Sequence, residues 1–302
     1  MDFNTNSSLD SILDSLLTPY KERVSDVAII TNAMVKNGLI ANENDISNDH
    51  IAFRTLGVQN LGIASFEKIF LHYGYQKKDY YFFDDKKLNA YWYAPPADHY
   101  PRIFISELRV EDLSVTTQNI IKKYTDPVTE DPINHIDLNN IAEVASFFYN
   151  PLWDLPTAED YSALLNESEY AAWVIYNRYY LNHYTISVHD LPIGYNTIED
   201  FNSFIESLGI KLNTSGGKIK TSPDGLLKQS STVAKLIKAQ FANQVTKDIA
   251  GSYVEFAERK PLPEFENMVD GKIERAQRRD GFEAGNADKI FESTYTEQTT
   301  LT

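Results

Sequence analysis

Two histidines, one glutamate and two arginines stand where strand periodicity turns them to the same side of a sheet. His50-Ile51-Ala52-Phe53-Arg54-Thr55 alternates with a period of two, so His50, Ala52 and Arg54 share one face while Ile51 and Phe53 share the other. His183, Thr185 and Ser187 oppose Tyr184, Ile186 and Val188 in the same way, and Tyr253, Glu255, Ala257 and Arg259 oppose Val254 and Phe256. Each segment has an apolar face for a core and a polar face for something else, and polar faces turned into a curved sheet make a wet cavity. Two neutral imidazoles and one carboxylate are the ligand set of non-haem Fe(II) oxygenases; they leave a site of net charge +1 with open positions for a chelating substrate and O2.

Arg54 suits an acidic substrate, because a guanidinium pairs bidentately with a carboxylate; the alternative is an ordinary ion pair with one of 43 acidic residues. It lies roughly 13 Å along the strand from His50 at about 3.3 Å per residue, too far to crowd a metal but within reach of the distal end of a chelated acid. Gln229-Ser230-Ser231-Thr232 is a polar run in a strand-like segment that either lines the cavity or pairs at a sheet edge. Glu107, late in another strand much as Glu255 is in its own, is the contender for a fourth ligand, which would favour Lewis-acid chemistry over O2 chemistry. His72, His99, His135 and His189 fall on a helix, in loops or past a strand end and read as solvated or structural, and Ser215-Gly216-Gly217 reads as a plain turn rather than a phosphate loop.

The elements that must position these residues follow from the pattern around them. Leu9, Ile12, Leu13, Leu16 and Leu17 predict a helix over 8–18, with Ser7 or Ser8 as N-cap and Pro19 near its end; a second runs from about Asp26 to Asn37. Residues 48–110 then read as β-α-β-β-β: a strand at His50, a helix over Phe66–Tyr73, and strands at Asp79–Phe83, Leu88–Tyr93 and Arg102–Leu108. The same order returns over 182–260, with a strand over His183–Val188, a helix over Ile198–Leu208, and strands at Lys218–Thr221, Leu226–Val233 and Ser252–Arg259. The fold expected is α+β, paired βαβββ units curved into a half-barrel around a metal site, within one catalytic domain spanning 1–302. A helical N-terminus (1–45) precedes the units. A helical insertion (111–181) separates them, with apolar stripes Val144, Phe147, Phe148 and Trp173, Tyr176, Tyr180 that read as core. A polar C-terminal segment (261–302) is expected to cover the second unit and to fray from Thr296.

Composition narrows the partners. With 28 basic against 43 acidic residues the net charge is −15, which argues against nucleic acid and against an anionic membrane surface, and requires a local cation for any anionic substrate. The absence of cysteine removes thiolate catalysis, disulfides and Cys-ligated metals. No apolar run reaches membrane-span length, and Met1–Asp10 has neither a basic nor an apolar leader region, so the expectation is a soluble cytoplasmic protein.

These residues resemble a known family. Asn48-Asp49-His50-Ile51-Ala52-Phe53-Arg54-Thr55 is similar to the opening motif of the 2-oxoadipate dioxygenase/decarboxylase (2-hydroxyglutarate synthase) family. Asn182–Thr185, Leu226–Ala234, Ser252–Arg259, and Gly281-Phe282 with Asn286–Thr294 resemble it as well, so the likeness spans about 48–294. The resemblance implies a vicinal-oxygen-chelate type of fold and Fe(2+) held by His50, His183 and Glu255. It implies a reaction of 2-oxoadipate and O2 to 2-hydroxyglutarate and CO2 in lysine breakdown. The expected substrate contacts are Arg54, which binds carboxylate, with Gln229, Ser230, Ser231, Tyr253 and Arg259. Two other readings stay open: a non-redox metal-dependent hydrolase, lyase or isomerase on the same fold, and a binding module for a small acid. Oligomeric state has no signature in the chain.

Overall fold

The computed structural model describes residues 7–266, 268 and 273–300. Two helices, α1 (Ser8–Arg23) and α2 (Ser25–Lys36), open the chain. The side chain of Ser7 accepts from the Asp10 N–H while the Asp10 carboxylate accepts from the Ser7 N–H, a reciprocal cap. The predicted stripe from Leu9 to Leu17 is buried. Pro19 does not end the helix, which continues to Arg23. Proline offers no N–H to the Ser15 carbonyl, and the Tyr149 hydroxyl donates to it instead.

The strands that follow are β1 (Asn48–Leu56), β2 (Gln76–Phe83), β3 (Leu88–Ala94) and β4 (Arg102–Leu108), with α3 (Ile63–His72) between the first two. The helical insertion contributes α4 (Val115–Thr125), α5 (Ile141–Phe147), α6 (Ala158–Glu167) and α7 (Glu169–Asn177). The second unit comprises β5 (His183–Ser187), α8 (Ile198–Ser207), β6 (Lys220–Thr221), β7 (Leu227–Ser231) and, after a separate hairpin of β8 (Leu236–Gln240) and β9 (Thr246–Ala250), β10 (Tyr253–Arg259). The sequence pattern did not announce that hairpin.

All strands but the hairpin form one curled sheet in the order β2-β3-β4-β1-β5-β10-β7-β6, so the two units abut through β1 and β5. These pair antiparallel, Ala52 opposite His183 and Ile51 opposite Tyr184. In each unit the first strand runs parallel to the last, with His50 opposite Arg102 in one and His183 opposite Tyr253 in the other. A pseudo-twofold therefore relates His50 to His183, Phe104 to Glu255 and Glu107 to Glu258. On the outer face Phe53 packs on Phe66 of α3 at 4.8 Å and Phe256 on Phe201 of α8 at 5.0 Å, each ring contributing about 1.5–3 kcal/mol by burial.

The C-terminal segment, with α9 (Ala284–Phe291) and α10 (Thr296–Thr299), spans both units rather than covering only the second. Lys86, in the turn between β2 and β3, pairs with Asp288 and Glu292, while Asn213 of the second unit donates to the Lys289 carbonyl and Ser293 Oγ. Residues from Thr296 do not fray at once: the Glu169 carboxylate accepts the Thr296 N–H at the start of α10. Leu301 and Thr302 lie outside the described residues.

Candidate metal centre

The inner face of the sheet carries the residues that alternation assigned to it. His50 on β1, His183 on β5 and Glu255 on β10 are all buried, and one ligand atom of each lies within 4.8 Å of the others. His50 Nε2 is 3.4 Å from His183 Nε2 and 3.5 Å from Glu255 Oε1, and His183 Nε2 is 3.1 Å from Glu255 Oε2. Ligand atoms about 2.1 Å from one ion and separated by these distances subtend roughly 95–115°, the range that tetrahedral and octahedral sites use.

The opposite edge of each imidazole is fixed. His50 Nδ1 donates to Asp49 Oδ1 at 2.8 Å and His183 Nδ1 to Asn182 Oδ1 at 3.0 Å. With both Nδ1 atoms protonated, both Nε2 lone pairs face each other and a carboxylate. Three acceptors converging in a buried space call for a cation, and the donor set suits a divalent metal. Among the described residues two outside groups reach them: Thr185 Oγ1, 3.0 Å from His50 Nε2, and Gln229 Nε2, which donates to Glu255 Oε1 at 2.7 Å. Without a metal, charge is shared through protons. Burial would push Glu255 up, but the facing imidazoles bring it down to about 2. Burial would depress His50 as well, yet Glu255 and Asp49 carry it above its ordinary value, whereas burial prevails at His183 and lowers it.

Asp49 is the keystone of a second layer. Its carboxylate accepts Arg259 Nε at 2.6 Å and Arg259 Nη2 at 2.9 Å, with Arg102 Nη1 at 3.3 Å. Burial opposes its charge, but the two guanidinium groups hold its carboxyl well below the usual range. Arg259 is thus spent on Asp49 and on the Arg279 and Gly281 carbonyls, away from the space in front of the imidazoles where the sequence suggested a substrate contact. Ser230 points to the outer face and donates to Asn202 Oδ1, as strict alternation beside Gln229 requires. Ser231 faces inward but meets Ser293 Oγ of the C-terminal segment. Tyr253 packs behind the cavity lining, its ring 4.8 Å from that of His183 and its hydroxyl donating to the Ile290 carbonyl. Gln229 lines the cavity itself and accepts from Asn286 of α9, so the cover and Glu255 are joined through one amide.

Arg54 is 1 % exposed and has no carboxylate partner among the described residues. Its Nη1 donates to Thr294 Oγ1 and its Nη2 to the Phe291 carbonyl, both at 2.9 Å, while its Nε has no partner among the described residues. The guanidinium lies 5.1–5.8 Å from the ring centroids of Tyr170, Trp173 and Phe291. A buried cation held by neutral acceptors and ring faces is one whose counter-charge is not supplied by the chain.

Glu107 faces away from the imidazoles. Its Oε2 accepts the Ile63 N–H at 2.8 Å at the start of α3, as Glu258 accepts the Ile198 N–H at 2.8 Å at the start of α8. The approach is so close that a Cβ on Gly62, at φ +90°, would fall 2.3 Å from that oxygen. Where Glu255 stands in the second unit, the first has Phe104, which closes that side of the cavity with a ring. Phe282, Ile290 and Phe291 of the C-terminal segment roof it, leaving about 20 Å³, room for little more than one water. Asp49 and Asn182 escaped the sequence reading, although each immediately precedes its histidine, a shared polar-His dipeptide that marks them.

Comparison with known proteins identifies relatives in both sequence and fold. Residues 12–270 match a family described as 2-oxoadipate dioxygenase/decarboxylase. A protein of Arabidopsis thaliana named 2-oxoadipate dioxygenase/decarboxylase, chloroplastic, is 47% identical over 261 residues, 83% of this chain and 68% of that protein. The crystal structure of a hydroxyglutarate synthase from Oryza sativa in complex with 2-oxoadipate superposes with a TM-score of 0.88 at 40% identity, covering 96% of this chain and 93% of that one. A glyoxalase-superfamily protein from Ralstonia eutropha shares the fold, with a TM-score of 0.71 at 21% identity over 92% of this chain and 88% of that one. Among the described residues no helix is long and apolar enough to cross a membrane. With the match running through both βαβββ units and every strand of the histidine–glutamate site, the chain belongs to the 2-oxoadipate dioxygenase/decarboxylase family.

Proposed function

We propose that this chain is an Fe(II)-dependent oxygenase that converts 2-oxoadipate and O2 into 2-hydroxyglutarate and CO2, a step in lysine breakdown. The observation that carries the reading is the convergence of two Nε2 lone pairs and one carboxylate, with both Nδ1 protons already engaged by Asp49 and Asn182. Its support from relatives is the bound 2-oxoadipate of the rice structure and the name of the Arabidopsis protein. His50, His183 and Glu255 would hold the metal, and the aromatic counterpart of Glu255, Phe104, adds no fourth protein ligand. Bound iron would supply the Lewis acidity that a chelating 2-oxo acid needs and the redox capacity that O2 chemistry needs.

The chain's own residues do the rest. Arg54 supplies the missing counter-charge for a substrate carboxylate and so fixes which carbon is presented. Gln229 keeps Glu255 turned toward the imidazoles, and Asp49 and Asn182 fix the ring orientations. Phe104, Phe282 and Phe291 exclude water from the reacting acid. The continuity of the sheet across both units supports treating the described chain as one catalytic domain.

Anaerobic reconstitution with Fe(II), followed by O2 uptake against a panel of 2-oxo acids, tests the reading. The expected result is one CO2 and one 2-hydroxyglutarate for each O2 consumed with 2-oxoadipate. Turnover without O2, or equal turnover with Zn(II), would transfer the site to hydrolase, lyase or isomerase chemistry.

A further inference from the structure

A chain of two amides leads from Glu255 to the roof of the cavity. Gln229 Nε2 donates to Glu255 Oε1 at 2.7 Å, and Gln229 Oε1 accepts from Asn286 Nδ2 at 3.1 Å. All three side chains are buried. Asn286 lies in the first turn of α9, and Ala287, Ile290 and Phe291 of the same helix line the cavity.

The polarity of the chain is set by its ends. An ionised carboxylate only accepts, so Gln229 must turn its NH2 to Glu255 and its oxygen to α9. That buried oxygen then needs a donor. Asn286 meets it with its own NH2, which the Leu227 carbonyl also accepts, at 3.4 Å, so the second amide is oriented by two acceptors. The sheet itself does not call for an amide at this place. Gln229 stands opposite Ala257 on β10 as Ala90 stands opposite Ser106 on β4, so the pseudo-twofold that relates Glu255 to Phe104 relates Gln229 to Ala90. The unit that has a phenyl ring instead of the carboxylate has a methyl group instead of the amide.

We infer that Asn286 is a positioning residue for the metal centre: by holding the Gln229 oxygen it keeps the Gln229 N–H on Glu255, and so ties the orientation of that ligand to the closed position of α9, a role that rests on the metal-centre reading above. Without Asn286 the Gln229 amide is free to turn its oxygen to Glu255, which sets two acceptors against each other. Anaerobic titration with Co(II), whose visible absorption follows the arrangement of its ligands, tests this without turnover. The parent should take up one Co(II). Asn286→Leu, close in shape but without a donor, should shift the Co(II) bands and weaken Co(II) binding roughly 10-fold. Gln229→Met should weaken it by at least as much, and the double variant should match Gln229→Met alone, because Asn286 acts only through the amide. If Asn286→Leu does not fold, Asn286→Ala carries the same comparison. Unchanged Co(II) bands and affinity in the folded Asn286 variant would overturn the inference and leave the metal centre standing. So would an equal further loss when the Asn286 change is added to Gln229→Met, since that is the behaviour of a residue that only packs α9. A parent chain that takes up no Co(II) would overturn the metal centre itself, and this role with it.

Discussion

Asp49→Asn separates the roles of the second layer, because it nearly preserves shape while removing one charge. In the parent, that carboxylate receives three guanidinium N–H groups and the His50 Nδ1 proton, all in a buried setting. The amide keeps one acceptor oxygen but turns an NH2 toward the donors, so Arg259 loses its carboxylate and keeps the Arg279 and Gly281 carbonyls, while Arg102 retains Asp280. Breaking one partner of a buried ion pair costs about 3–5 kcal/mol. At about 2.1 cal/mol/K per residue the unfolding entropy of this chain is roughly 0.6 kcal/mol/K, so Tm should fall by about 5–8 °C. The same change weakens the hold on the His50 ring, and losses of this kind lower metal affinity by about 10- to 100-fold. Thermal unfolding of the metal-free protein reads the first effect, and anaerobic competition for Fe(II) against a chromophoric chelator reads the second. Arg259→Met in the Asp49→Asn background should recover part of the stability, since the stranded cation is gone, but none of the metal affinity. A fall in Tm below about 1 °C together with unchanged iron affinity would refute the reasoning, as would strict additivity of the two substitutions.

Arg54→Ala should retain iron yet lose roughly 30- to several-thousand-fold in kcat/KM for 2-oxoadipate, with Arg54→Lys recovering only part; the parent rate in Arg54→Ala would return Arg54 to a purely structural role. Glu107→Ala should keep its full metal content while losing about 1–3 kcal/mol of stability in urea titration, because a charged hydrogen bond to the start of α3 disappears; loss of metal comparable to that in Glu255→Ala would revive the four-ligand site. Burial lowers Lys220 to about 8, so between pH 8 and 9.5 the unfolded chain holds its proton and the folded one releases it. Stability of the parent relative to Lys220→Met should therefore rise with pH across that window, on the order of 1 kcal/mol, and a flat difference would contradict the burial of an amine at this point.

The part of the site that was legible in the sequence is the part governed by period two. His50, Arg54, His183 and Glu255 each lie in a segment whose opposite face is apolar beside them, Ile51 and Phe53, Tyr184 and Ile186, Val254 and Phe256, so the inner face could be assigned without knowing strand order. Asp49 obeys a different rule: the pairing of β1 with β5 is irregular between Asn48 and His50, and there a residue of the wrong parity reaches the Nδ1 of its neighbour. Arg259 has the right parity, but lies at the end of β10 where the partner is Asp49 rather than the open cavity. Glu107 misled because position within a strand was compared without register; the pairings of His50 with Arg102 and His183 with Tyr253 align it with Glu258, and both carboxylates serve helix starts. The reach of the C-terminal segment over both units depends on contacts between residues some 200 positions apart, such as Lys86 with Glu292, which no local pattern encodes.

The roof over the imidazoles gives the molecule a built-in optical reporter. The chain has three tryptophans. The Trp92 ring lies 6.1 Å from that of Phe282, and its indole N–H is held by Asp79; Trp173 lies 5.2 Å from the Arg54 guanidinium, which itself anchors Phe291 and Thr294. Trp153 is placed apart, its indole donating to the Ile175 carbonyl. A cavity of about 20 Å³ cannot admit a six-carbon acid while Phe282 and Phe291 stay in place, so admission must alter the surroundings of Trp92, of Trp173, or of both. Intrinsic fluorescence followed in a stopped-flow mixer would thus time the opening of the roof separately from the consumption of O2. A Trp92→Phe and Trp173→Phe pair would show which edge of the roof moves first.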